Sequence, residues 1–61
     1  MKYDPKHVMA MHNLAVVKGE QKQYAEAVKL FSAVLQLDPD HKTAAKYLAL
    51  AKQQLIKQQK Q

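Results

Sequence analysis

The chain has 61 residues, no cysteine, one glycine and two prolines, and ten lysines against five acids give it a net charge of +5. One domain is the upper limit at this length, and burial in so small a core only narrowly offsets the entropy of ordering the chain. Disulfides and thiolate metal sites are excluded, the scarcity of glycine and proline argues against a turn-rich all-β fold, and a hydrophobic content of 48% argues against disorder.

Asp4-Pro5 opens the first element. A residue before proline is held out of the helical region, and proline suits the first turn of a helix. Val8, Met11, Leu14, Ala15 and Val17 follow at steps of three and four, with Val16 beside them. They predict a helix over about 6–20. Gly19 weakens or ends it, and the polar run 20–23 predicts a turn. Tyr24, Ala27, Val28, Phe31, Val34 and Leu35 make a broad apolar stripe on a second helix, about 24–37, which Asp38-Pro39 ends. Asp40 is a good N-cap residue for a third helix, about 40–57, whose narrow stripe is Ala44, Ala45, Leu48, Ala51 and Leu55. Residues 58–61 are lysine and glutamine only and are expected to fray. The expectation is an all-α chain of three helices.

Residues 1–40 are neutral overall, so the charge excess lies wholly in Lys42, Lys46, Lys52, Lys57 and Lys60. Such a segment attracts nucleic acid, anionic lipid or an acidic partner, or is simply a solvated lysine face. No arginine is present, and planar bidentate phosphate recognition favours arginine. Weak, nonspecific nucleic-acid binding is the most this composition supports.

No catalytic constellation can be composed, so an enzyme is not expected, and nothing in the chain calls for a cofactor. His7, His12 and His41 are the candidate metal ligands. His7 and His12 are displaced by about 140° on a helix, and a metal site needs at least three placed ligands, so no metal is expected. Apolar runs such as Leu14 to Val17 are far too short to span a membrane. No stretch resembles a signal peptide, which leaves a cytoplasmic location as the default.

The chain also repeats itself. Asp4-Pro5 and Asp38-Pro39 are 34 residues apart, as are His7 and His41, Ala10 and Ala44, Leu14 and Leu48, Ala15 and Ala49, and Lys18 and Lys52. A period of 34 is that of a helix-turn-helix unit. With Asn13-Leu14-Ala15, then Tyr24, Ala27, Phe31, Leu35 and Leu37-Asp38-Pro39, the sequence resembles the tetratricopeptide repeat family over about residues 4–55. The resemblance implies an antiparallel helix-turn-helix repeat pair over 4–38, followed by a capping helix over 40–57, as a fragment of an α-solenoid. Ala15 and Ala27 would let the helices approach, with Leu14, Tyr24, Phe31 and Leu35 packed around that contact. Lys22 stands where many repeats have a turn glycine, and Val34 where a small residue is usual. Tyr3-Asp4-Pro5 is similar to the end of a preceding repeat, which implies the end of a longer array or a standalone stub.

By the same resemblance, a concave groove would be lined by Met9, His12, Asn13 and Val16 on the first helix and Thr43, Lys46, Tyr47 and Leu50 on the third. Only Asn13 matches the family's clamp for a peptide carboxylate, so an apolar or amphipathic segment suits the groove better. The expected function is protein–protein interaction, by binding a peptide or helix in the groove or by stacking on like repeats. A self-associating homo-oligomeric stub and a basic anion binder are the alternatives. One and a half repeats leave apolar faces uncovered, since about three repeats are normally needed for stability.

Overall fold

The computed structural model describes residues 4–59, and three helices account for most of them: α1 (Pro5–Glu20), α2 (Tyr24–Leu37) and α3 (Lys42–Gln59). The fold is all-α, with no strand among the described residues. Asp4 has extended backbone angles, and its carboxylate accepts from the backbone N–H groups of Lys6 and His7 at 3.0 and 3.4 Å. Pro5 takes the first helical position, where a missing N–H costs nothing.

Gly19 lies inside α1, one residue before its end at Glu20, and the left-handed residue that closes the helix end is Lys22. Lys22 adopts φ 64°, the left-handed region, so that its N–H reaches the Gly19 carbonyl at 3.0 Å. The Gln23 N–H reaches the Lys18 carbonyl at 2.8 Å. These two bonds close a Schellman motif, which satisfies carbonyls that the helix end leaves unpaired. The Lys18 ammonium bridges the turn, 3.2 Å from Gln23 Oε1 and 3.3 Å from the Glu26 carboxylate. That pair is largely solvated and contributes at most about 1 kcal/mol.

The start of α3 departs from expectation. His41, not Asp40, is the capping residue. Its Nδ1 accepts from the Ala44 N–H at 3.0 Å, and its carbonyl accepts from Ala45 at 3.1 Å. Asp40 lies in a turn closed by the His41 N–H on the Asp38 carbonyl at 3.1 Å. The helix therefore begins at Lys42, later than the expected 40, and continues through Gln59, past the expected limit of 57. Tyr3 and the last two tail residues lie outside the described residues.

Helix α2 packs against both neighbours, while α1 and α3 scarcely touch. The side-chain contacts fix the directions. Lys18 sits by Glu26 and His12 by Phe31, so α1 and α2 are antiparallel. His12 meets Tyr47, and Glu20 shares a groove with Gln54, so α1 and α3 run parallel. The core is Val8, Ala15, Ala27, Phe31, Val34, Ala44 and Ala51. Alanine on all three helices lets their backbones come close, and Val34 is fully buried although a smaller residue was expected to suit its place.

Leu14 does not join this packing as expected; it is 47% exposed. The buried stripe of α1 runs through Val8 and Ala15, with Met11 against it. Leu14 lies about 100° around the helix from Ala15 and so points away from α2. No described helix is long and apolar enough to cross a membrane.

Candidate functional site

The lateral separation of α1 and α3 leaves an open groove of about 290 Å³ between them. Its floor is built from the buried residues Ala15, Phe31 and Ala51, one from each helix. Half-buried Val16 and Tyr24 line its sides, and Tyr47, Leu50, Glu20 and Gln54 form an exposed rim. Small side chains give the groove its width: Ala15 and Ala51 fill little space, and Gly19 fills none. A Cβ built on Gly19 meets nothing within 4 Å.

Four aromatic rings from all three helical segments gather beside the groove. Phe31 and Tyr47 stack at 5.7 Å and line it. His12 meets Phe31 edge-on at 5.5 Å, Tyr47 at 5.7 Å and His41 at 5.1 Å. His12 Nδ1 is enclosed and has no hydrogen-bond partner. Burial holds the His12 pKa below its ordinary value of 6.5, and the charge of neighbouring His41 acts in the same direction. His41 accepts a hydrogen bond at Nδ1, so its ring proton sits on Nε2.

Of the eight residues expected to line a groove, Val16, Tyr47 and Leu50 do so. His12 abuts the groove through Phe31 and Tyr47. Met9 is 63% exposed, and Asn13, Thr43 and Lys46 are exposed outside the lining. The groove also takes Tyr24 and Phe31, which sequence reasoning had assigned wholly to the contact between α1 and α2, and Ala15, Gly19, Glu20, Ala51 and Gln54. A signal for part of this set was present, because Tyr47, Leu50 and Gln54 follow one another at steps of three and four.

The pairing of His12 with His41 crosses from α1 to the start of α3 and has no local signature. Among the described residues, no three histidine, aspartate or glutamate side chains converge on a common point. No family model, curated protein or solved structure matches the chain.

Proposed function

We propose that the chain is a non-catalytic protein–protein interaction module of tetratricopeptide type, which holds a short amphipathic segment in the groove between α1 and α3. The observation that carries this reading is the groove itself: an apolar trough with a buried floor from three helices and exposed tyrosine and leucine on its rim. Its volume of about 290 Å³ is at the bottom of the range for small-molecule pockets, about 300–1,000 Å³. That favours one or two anchoring side chains of a peptide over an enclosed ligand. One wall belongs to α3, which carries Lys42, Lys46, Lys52 and Lys57 and no acid. An apolar anchor with acidic flanks therefore suits the site, with charge governing the rate of encounter and burial the affinity. The 34-residue internal period and the small residues on all three helices support the tetratricopeptide assignment.

The test is an isothermal titration with an acid-flanked amphipathic peptide, using the wild type, Val16→Glu and Leu50→Glu. Both variants are expected to lose binding while keeping their helical circular dichroism. Unchanged binding in both would remove the groove as the site. Sedimentation equilibrium over a wide concentration range separates this reading from self-association through the same face.

A further inference from the structure

Gly19 is the chain's one glycine, and it sits in helical backbone near the end of α1. Its φ is not positive, so it does not supply the left-handed conformation that favours glycine. Packing inside the molecule does not call for it either, because a Cβ there meets nothing within 4 Å. Alanine in this place would hold the helix better. The missing side chain has its effect elsewhere. Gly19 lines the groove between α1 and α3, where bare backbone forms part of the wall. Glycine suits a place where a ligand approaches the backbone closely.

The surroundings of Gly19 indicate what approaches it. Tyr24, Phe31 and Tyr47 line the same groove, three of the chain's four phenylalanine and tyrosine residues. Phe31 and Tyr47 are stacked, with their planes 23° apart. A flat ring gains more from aromatic walls than an aliphatic side chain of similar size. Past Tyr24 and Gln54 the groove opens into a shallow hollow, which those two residues share with Lys22, Lys57 and Gln58. The Gln58 amide donates to the Lys22 carbonyl at 3.0 Å and ties the end of α3 to the first turn. Among the described residues, no acidic side chain lines the hollow, so it attracts an acidic flank. Gly19 is one helical turn from Ala15 on the groove floor and three residues from Lys22 in the hollow. A segment that fills both crosses α1 at Gly19.

We infer that Gly19 is the specificity-determining residue of this groove. Its bare backbone admits a planar aromatic side chain of the partner, and any side chain at position 19 narrows the groove against such a ring. The inference rests on the groove reading proposed above, and it adds the class of anchor and the residue that selects it.

The probes are three synthetic peptides, each with two glutamates on either side of one anchor: phenylalanine, cyclohexylalanine or leucine. They are titrated into the isotope-labelled full chain and followed by nuclear magnetic resonance. Phenylalanine should bind about three- to tenfold tighter than cyclohexylalanine, which has the same size without the π-system. Gly19→Ala should weaken the phenylalanine peptide by roughly threefold while raising the melting temperature of the chain. Gly19→Leu should weaken it by about tenfold or more and erase its advantage over cyclohexylalanine. A gain in stability with a loss of binding cannot come from unfolding. Wild-type affinity in both variants, with Val16→Glu still abolishing binding, overturns the inference and leaves the groove reading standing. Equal affinity of the phenylalanine and cyclohexylalanine peptides for the wild type overturns it as well. Failure of all three peptides to bind the wild type overturns the groove reading and the inference together.

Discussion

Asp4-Pro5 and Asp38-Pro39 are the same dipeptide 34 residues apart, yet the molecule uses them differently. Asp4 caps α1 and Pro5 is its first residue. At the second site the Asp38 N–H is committed to the Val34 carbonyl at 2.8 Å as α2 ends. Asp38 and Pro39 then belong to the exit turn, and capping passes to His41. A local signal therefore reads as a helix start in one place and as a helix stop in the other, according to what the preceding backbone has already bonded. The helices that follow repeat this lesson on a larger scale. Ala15 on α1 is fully buried against α2, while its counterpart Ala49 on α3 is exposed; Ala10 is exposed while its counterpart Ala44 is buried. Equivalent residues swap roles because α2 lies on opposite sides of the two helices.

The sharpest way to break this comparison is to enlarge the crossed pairs. Ala15→Leu and Ala44→Leu should each destabilise the fold by about 1–3 kcal/mol through overpacking. Ala49→Leu and Ala10→Leu should stay within about 0.5 kcal/mol, as surface changes do. Chemical denaturation of the four variants checks this. Equal costs within either pair would mean that α2 does not separate the faces as described.

The two connections give the next largest effects. Lys22 holds the left-handed position in the first turn, a conformation that costs a non-glycine residue about 1–2 kcal/mol. The chain's one glycine is three residues away, inside α1, where it lowers helix stability. Lys22→Gly should raise stability by about 1 kcal/mol. At the other connection, His41→Ala removes the Nδ1 acceptor from Ala44 and should cost about 0.5–2 kcal/mol, with His41→Asn recovering much of it. Gly19→Ala should add about 0.5–1 kcal/mol, because a Cβ there meets no neighbour. Thermal melts of single and combined variants decide these points. A Lys22→Gly chain no more stable than the wild type would deny that the turn is strained.

Much of the backbone was legible because its signals are local. The polar run before Tyr24 and the Asp38-Pro39 pair bracket α2 at both ends, and the structure places it at Tyr24–Leu37. Asp4-Pro5 likewise marks the start of α1. Leu14 was misread because the apolar residues of α1 nearly encircle it, and periodicity alone does not say which part of such a band faces α2. The cap at His41 was hidden because Asp40 is the commoner capping type and the competing bond of Asp38 is not visible in sequence. Of the groove lining, Val16, Tyr47 and Leu50 are among the residues singled out from the sequence. Phe31 and Tyr24 could not be assigned to it, since being packed against α1 on one edge and lining a groove on the other depends on how far α1 and α3 stand apart. The contact of His12 with His41 depends on the same spacing.

The smallest expected effect is a slope in stability with pH, and it comes from His12. Its ring is pressed between Phe31, Tyr47 and His41, and its enclosed Nδ1 has no partner. Protonation places a charge where burial disfavours it, and His41 is the titratable neighbour that adds to the penalty. The folded-state pKa is therefore lowered from 6.5, and below that pH the unfolded chain takes up the proton first. The stability concerned is fully present above pH 6.5 and is lost as pH falls through the lower folded value. The ring is only half-buried, so solvent screens the penalty and the slope is shallow. His12→Phe keeps a ring in the cluster and removes both the proton site and the unpaired nitrogen. It should flatten the fall in melting temperature below pH 6.5 and raise stability slightly even above it, since no buried acceptor is then left without a partner. A variant with the wild-type slope would assign the acid sensitivity to another group.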